Sequence, residues 1–479
     1  MKYLPPELHY EVCEYLSLED IRRYRLVNKT FSHVGAAKLF RQLTFHASDE
    51  SLNQVCAVAA HPVLRKQVKS LIWDANLWDI GTYGSSFEEF RNYTSDHSRS
   101  GLQEMEHKLA RQLNVSRDQL VLEHQSEVES EVQRHYGLYQ ARRIDEQRVL
   151  RERLTAICLR PILRRFLGME KISIHNGDYY KWCPKRWPDY YWGGDHVLPE
   201  TKATELLARG EGAWQDNLGS GLPVWHPFEH SIIAVGHQLK ELVVDHLSWK
   251  TFQSEFRVSM LARHCPGLVS LKLAVAVEAG YGTKIEVNNS GQCRSIMKNG
   301  QLAGFIAGLS KLQVLEIRFP YYARTYVAAV ELSDIIPADQ TGLRRLVLER
   351  FETSEAHISK LLRSNRKTLK DLSLQDIYLN PRGSWTRIFK MIRNRLSLTS
   401  AQFDGVLCDS VRPNVPLDRF NHRAGVEDGW DFMWYSDEGE DERLGYALSD
   451  YLVKGPVCPL TYDMKIAVQK GRKELVAEP

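Results

Sequence analysis

Residues 343–374 read LRRLVLERFETSEAHISKLLRSNRKTLKDLSL and contain one strand–helix–strand unit of a recurring pattern. Leu346 and Leu348 are two residues apart, so both side chains point to the same face of a short strand. Leu343 lies three residues earlier, at the turn into that strand. The segment that follows carries the apolar stripe of a helix, formed by Ile358, Leu361 and Leu362. The stretch therefore predicts a strand, a returning helix and the start of the next strand.

The same apolar-x-x-apolar-x-apolar pattern recurs along the chain. Its copies begin at Val68, Met169, Leu239, Leu268, Leu312, Leu343, Leu369 and, weakly, Leu398. The last four are separated by 31, 26 and 29 residues, which suits one strand plus one helix. The arrangement resembles a leucine-rich repeat, although the usual asparagine after the strand is missing and the repeats are irregular. We therefore expect an α/β solenoid of parallel strands and helices with insertions, while an ordinary α/β domain with parallel strands would show the same alternation.

Residues 4–43, LPPELHYEVCEYLSLEDIRRYRLVNKTFSHVGAAKLFRQL, carry the start signals of three short helices. Pro5 suits a first helical turn, because the N–H that proline lacks is not needed there. Ser17 precedes Asp20 by three residues, which is typical of a helix start, and Asn28 is a favourable cap for the next helix. An apolar face is predicted on the first helix from Leu8, Val12, Tyr15 and Leu16. So short a segment buries little core, so it must pack on the rest of the chain or on a partner.

This segment resembles an F-box of the fungal type. The motif residues are Leu4-Pro5, Glu7, Tyr15-Leu16, Asp20-Ile21 and Leu26-Val27-Asn28-Lys29, with Ile21, Asn28 and Phe31 in place of the commoner Leu, Cys and Trp. The resemblance implies docking on a Skp-family adaptor and, through it, on a cullin. The residues that would contact the adaptor are Leu4, Pro5, Leu8, Val12, Leu16, Ile21, Leu26 and Val27. The chain would then be the substrate receptor of an SCF-type ubiquitin ligase, without catalysis or a cofactor of its own, holding an unidentified protein substrate near the conjugating enzyme.

Wide gaps between the repeat strands predict two insertions. Residues 85–165 are polar and helix-prone, and their arginines either bind an acidic partner or form a solvated face balanced by neighbouring acids. Residues 178–232 are rich in Gly, Pro and aromatic side chains, and such side chains are typical of interaction hot spots. The candidate substrate-binding residues are Tyr179, Tyr180, Trp187, Tyr190, Tyr191 and Trp192. The alternative interpretation is that these rings pack the insertion onto the solenoid.

Composition narrows the class of protein. The chain has 479 residues and a net charge of +3, which gives no reason to expect nucleic-acid binding. No window approaches about 18 consecutive apolar residues, so we expect no membrane segment and a cytoplasmic or nuclear location. The eight cysteines are scattered without a C-x-x-C motif, which favours reduced thiols over disulfides or zinc. Familiar hydrolase, phosphate-loop and zinc-protease motifs are absent, which favours a non-catalytic protein.

The predicted organisation has five parts. They are an F-box at 1–43, the first strand and helix of the repeat region at 44–84, a charged helical insertion at 85–165, the repeat array at 166–405, and a C-terminal cap and tail at 406–479. Two other functions stay open at this point. One is a non-catalytic F-box scaffold that does not act in ubiquitination, and the other is an enzyme whose site is assembled from the insertions.

Overall fold

The chain divides into two compact units, residues 1–248 with 278–283, and residues 249–277 with 284–479. A computed structural model describes a defined part of them. The described residues are 5–74, 86–88, 109–149, 152, 156–175, 232–233, 235–276, 284–319, 330–379, 383–408, 431–433 and 448–454. Each unit joins parallel strands with helices, so the predicted α/β class is confirmed.

Three helices open the first unit. They are α1 (Pro6–Tyr15), α2 (Leu18–Tyr24) and α3 (Lys29–Leu39). The Ser17 side chain accepts a hydrogen bond from the backbone N–H of Asp20 at 3.1 Å, and Asn28 accepts one from Phe31 at 3.0 Å. Both predicted helix starts are therefore confirmed, and each cap satisfies a backbone donor that the helix itself leaves open.

Four parallel strands follow in the first unit, each hydrogen-bonded to the next along the chain. They are β1 (Gln42–His46), β2 (Ser70–Asp74), β3 (Lys171–His175) and β4 (Glu241–Ser248). Helices α4 (Asp49–Ala60) and α5 (Leu64–Gln67) connect β1 to β2, and α6 (Arg117–Glu123), α7 (Gln125–Arg148) and α8 (Ala156–Arg164) lie between β2 and β3 in sequence. In register, Leu71 is opposite Ile172 and Ile172 is opposite Leu242, so each strand extends one buried row.

Strand β1 corrects the sequence analysis, which counts only one strand before the first insertion. Phe40, Leu43 and Phe45 have the same spacing as the other copies, but Phe40 also ends the third predicted helix. In the structure Phe40 caps α3 and β1 begins two residues later, so one residue serves both elements. The strand therefore crosses the boundary predicted at residue 43.

The second unit repeats the same plan. Its helices are α9 (Glu255–His264), α10 (Lys284–Lys298), α11 (Gln301–Ala307), α12 (Glu355–Ser364) and α13 (Trp385–Arg395). Its strands are β5 (Ser270–Ala276), β6 (Val314–Arg318), β7 (Val330–Glu331), β8 (Arg345–Thr353), β9 (Asp371–Leu379), β10 (Ser400–Cys408) and β11 (Asp431–Met433). Strands β5, β6, β8, β9 and β10 are neighbours in that order and run parallel, and β7 pairs with the distal end of β8.

The predicted leucines line up across these strands. Leu315, Leu346, Leu348, Leu372 and Leu374 are all nearly fully buried, as predicted. Leu348 is opposite Ile317 on one side and Leu374 on the other, which makes one continuous apolar row. The strand order follows the chain order within each unit, whereas a doubly wound sheet reverses its order at a switch point. Each unit is therefore solenoid-like, with every strand–helix pair laid against the previous one.

Residues after β10 close the last repeat. Strand β11 pairs antiparallel with the end of β10, which itself runs past the boundary predicted at residue 405. Residues 448–453 form a helical turn in which Leu448 and Leu452 are buried. Arg393 of α13 donates a hydrogen bond to the carbonyl of Val453 at 3.4 Å and lies 5.9 Å from the ring centre of Tyr451. These contacts join residues 448–454 to α13, and the capping role of residues 406–479 stays a prediction.

Candidate partner-binding surface

Helix α1 turns a polar side chain and a thiol inward. Among its described side chains, His9 and Cys13 are buried. The His9 Nδ1 atom lies 2.6 Å from the Tyr24 hydroxyl oxygen, and the His9 ring packs on Phe31, which in turn stacks on Tyr24. Burial raises the pKa of the Cys13 thiol, so this thiol stays protonated. The buried part of the three-helix segment therefore includes an imidazole and a thiol beside the aliphatic side chains of Ile21 and Val34.

This packing leaves large apolar side chains in solvent. The exposed fractions are 42% for Leu8, 41% for Val12, 91% for Tyr15, 86% for Leu26 and 63% for Val27. The ring centres of Phe31 and His9 are 4.5 Å apart, so the first turn of α3 lies beside the N-terminal half of α1. These five residues, Leu8, Val12, Tyr15, Leu26 and Val27, are called the N-terminal apolar surface below. Exposed apolar groups concentrated on one short segment are typical of a protein–protein contact.

The residues predicted to contact the adaptor differ in how exposed they are. Leu8, Val12, Leu26 and Val27 belong to the N-terminal apolar surface, Pro5 is also exposed, Leu16 is half-buried, and Leu4 lies outside the described residues. Ile21 is a correction, because it is fully buried and lies close to Gly35 of α3. Its role is to pack α2 on α3, not to reach a partner. Tyr15 is not among the predicted contact residues, although its spacing from Val12 placed it on the apolar face, and it is the most exposed member of the N-terminal apolar surface.

Two glutamates of the N-terminal helices, Glu14 and Glu19, form ion pairs. Glu14 pairs with Lys38, and this contact holds the pKa of the Glu14 carboxyl below its usual value. Glu19 lies 3.5 Å from Arg22 and 3.4 Å from Arg23. Exposed pairs of this kind contribute little stability. The property that distinguishes the segment is therefore its apolar area, and covering that area would favour association.

A second cluster lies on the strand face opposite the leucine rows of the second unit. The Glu316 carboxylate is almost fully buried, with Lys272 Nζ at 3.5 Å, Arg345 Nε at 3.0 Å and Arg318 Nη2 at 3.7 Å. Arg318 also reaches Glu349 on β8, at 3.4 Å. Carboxylates and cations thus alternate across β5, β6 and β8. This cluster ties the strands together, and its three cations face two carboxylates.

The candidate substrate-binding aromatics Tyr179, Tyr180, Trp187, Tyr190, Tyr191 and Trp192 lie outside the described residues. Within the described residues, no group of three or more His, Cys, Asp or Glu side chains is arranged to hold a metal ion. The helices in this same part of the chain lack the length and apolarity needed to cross a membrane. Burial raises the pKa of the Cys265 and Cys293 thiols to about 12, so neither is a ready nucleophile.

No protein-family model matches the chain, and no curated protein is significantly similar to it. The resemblances to an F-box and to leucine-rich repeats are therefore carried by the motif residues themselves. The geometry adds two observations, the exposed N-terminal apolar surface and the strand order of each unit.

Proposed function

We propose that this chain is a substrate-recognition subunit of an SCF-type ubiquitin ligase. The observation that carries the proposal is the N-terminal apolar surface, because residues that match F-box motif positions, such as Leu26 and Val27, are exposed instead of packed into the chain's own core. A Skp-family adaptor with an apolar groove would cover these side chains. Each Å² of apolar area removed from water contributes roughly 25 cal/mol.

In this role the chain makes and breaks no bonds. The N-terminal helices bind the adaptor, the adaptor connects to a cullin, and the strand–helix repeats hold the substrate. Tethering raises the effective concentration of a substrate lysine at the charged conjugating enzyme, which is sufficient to direct ubiquitin transfer.

The packing of the repeats supports a division into a docking part and a recognition part. The buried rows through Leu348 and Leu374 lie on one face of each strand, and the apolar stripes of α12 and α13 are buried as well. Side chains on loops and insertions can then vary without disturbing the core, as in other repeat proteins. We assign substrate contact to the insertion at 178–232.

The test is co-purification of a Skp-family adaptor with two matched variants of the full chain. The double variant Leu26→Asp/Val27→Asp places two charges in the N-terminal apolar surface, and we expect adaptor recovery to fall at least tenfold. The control, Leu167→Asp/Phe256→Asp, makes the same change at side chains that are 66% and 75% exposed elsewhere. We expect the control to recover the adaptor as the wild type does.

Equal adaptor recovery with both variants would refute adaptor docking through this surface. A second measurement concerns the ligase itself. Cullin should be present in the adaptor complex, and the complex should transfer ubiquitin to captured proteins. Adaptor binding without cullin would show instead a scaffold that does not act in ubiquitination.

A further inference from the structure

Two cavities among the described residues differ in charge. A cleft of about 750 Å³ in the first unit is lined by parts of α2, β1, α4 and α7, and it mixes Arg22, Arg25 and Arg142 with Glu50 and Asp145. A groove of about 540 Å³ in the second unit is lined by cations without any carboxylate. Both volumes are within the usual range for ligand sites. The groove is the stronger candidate, because its charge is of one sign.

This groove lies between the C-terminal ends of α12 and α13, which are neighbouring helices. Its lining residues are Arg363, Arg366, Lys390, Met391, Asn394 and Arg395. The four cationic residues are exposed, and half-buried Met391 supplies an apolar part. We refer to these six residues as the basic groove.

Cations at the C-terminal end of a helix have an ordinary explanation, since they interact favourably with the helix dipole. This explanation covers Arg363 and Arg395, which lie in the last turns of α12 and α13. Arg366 follows the end of α12, and Lys390 lies in the middle of α13. Arg366 is still beside the C-terminal end of α12, so the dipole favours it as well, whereas Lys390 is more than one turn from the end of α13 and has no such explanation.

Among the described residues, no carboxylate lines the basic groove. Helices α12 and α13 contain one acidic residue, Glu355, in the first turn of α12. Its carboxylate accepts hydrogen bonds from Arg387 Nε at 2.9 Å and Arg387 Nη2 at 2.6 Å, and from the Ser384 N–H at 2.8 Å. Glu355 is therefore engaged at the opposite end of the helix pair.

The surrounding sequence has the same bias. Residues 360–395 contain ten Lys or Arg residues, and their two acidic residues, Asp371 and Asp376, both lie on strand β9. A concave site lined by four cations, with no carboxylate among its described lining residues, attracts anions from solution more strongly than scattered surface charges do.

We propose that the basic groove binds clustered phosphate groups, carried either by a soluble polyphosphate or by a doubly phosphorylated peptide. Three guanidinium groups offer planar forks that match phosphate oxygens, and Lys390 adds a compact charge. The groove is confined between two helix ends and so suits a few adjacent phosphates more than a nucleic-acid backbone. Neither helix exposes a large apolar side chain that would insert into a membrane. The proposal is independent of the function proposed above.

The test is calorimetric titration of the full chain with inorganic tripolyphosphate at physiological ionic strength. Wild type should bind one equivalent. The variant Arg366→Gln/Lys390→Gln should bind roughly ten- to a hundredfold more weakly, because two charge-assisted contacts are lost. The control Arg263→Gln/Lys311→Gln removes two exposed cations of the same unit outside the groove, so it has the same net charge. It should bind within about threefold of wild type, since screening weakens distant charges.

An equal loss of affinity in both variants would overturn the proposal, because it would reflect net charge alone. Equally tight binding of a single-stranded oligonucleotide or of a polyglutamate peptide would also overturn it, since neither presents clustered phosphates of this kind. Comparing the affinity for a doubly phosphorylated peptide with the affinity for tripolyphosphate identifies which molecule carries the bound phosphate groups. Tighter peptide binding supports a modified protein, and tighter tripolyphosphate binding supports a free polyphosphate. All of these residues are exposed, so circular dichroism should show unchanged folding of both variants.

Discussion

The leucine rows of the strand–helix repeats are buried, whereas leucines of the N-terminal segment such as Leu8 and Leu26 are exposed. Leu348 on β8 is completely buried, because Ile317 and Leu374 flank it in register on the neighbouring strands. Leu26, in the turn before α3, is 86% exposed. Within a repeat, the next copy of the pattern supplies the cover for an apolar side chain. Three short helices have no such next copy, so part of their apolar surface stays exposed to solvent.

The largest expected effect tests this contrast directly with one substitution made in both regions. Leu348→Ala should lower the free energy of unfolding by about 2–5 kcal/mol, because it opens a cavity in a packed row. Leu26→Ala should change it by less than about 0.5 kcal/mol, because the side chain is already in water. Chemical denaturation of the full chain measures both. Similar losses in the two variants would mean that Leu26 is covered by the chain itself, and the contrast would fail.

A second prediction concerns the hydrogen bonds that join adjacent repeats. The side chain of Asn365 is almost fully buried and donates to the carbonyls of Gln340 at 2.7 Å and Leu361 at 2.9 Å, while its oxygen accepts the Leu343 N–H at 2.9 Å. Asn365→Ala leaves buried backbone groups without partners, so we expect a loss of about 2–3 kcal/mol.

The matched control for this prediction is Asn394→Ala, at an exposed position of α13. Its stability should stay within about 0.5 kcal/mol of the wild type. The same urea titration measures both asparagine variants. If Asn365→Ala were as stable as the control, the repeats would be held by apolar packing alone.

The smallest effect concerns the N-terminal helices themselves. A Cβ atom added at Gly35 would lie 2.4 Å from Arg25 Cγ, which is closer than real contacts allow. Gly35→Ala should therefore destabilise the segment by about 1 kcal/mol, although alanine is the better helix former. In an Arg25→Ala background the sign should reverse, with Gly35→Ala stabilising by about 0.5–1 kcal/mol. Thermal unfolding of the wild type, the two single variants and the double variant measures these changes in stability. If Gly35→Ala destabilised the Arg25→Ala chain as well, the aliphatic part of the Arg25 side chain would not be the group that obstructs the added Cβ.

Much of the repeat architecture was predictable, because apolar residues recur every two residues in a strand and every three or four in a helix. Ile358 and Leu361 on α12 are fully buried, as their helical spacing indicated. Strand β1 was missed because Phe40 fits both a helix end and the repeat pattern, and local spacing cannot choose between them. The antiparallel strand β11 was also missed, since three residues are too few to show a period.

The candidate site was only partly predictable. The apolar spacing on α1 indicated a face but not whether that face packs inward or outward. Packing of His9 on Tyr24 and Phe31 decided this, and it turned Leu8 and Val12 to solvent. The sequence did not indicate that Ile21 is buried, because the motif places it in the same set of predicted contact residues as Leu26 and Val27, which are exposed.

The sequence by itself determined which segments become strands and helices and where most of them start, because period and capping are properties of neighbouring residues. Tertiary structure decided which apolar residues stay uncovered and which distant charges meet. Arg366 and Lys390 share one groove only because α12 and α13 pack side by side. Residues so far apart along the chain become neighbours through the return of each helix against the last, and no local pattern specifies that contact.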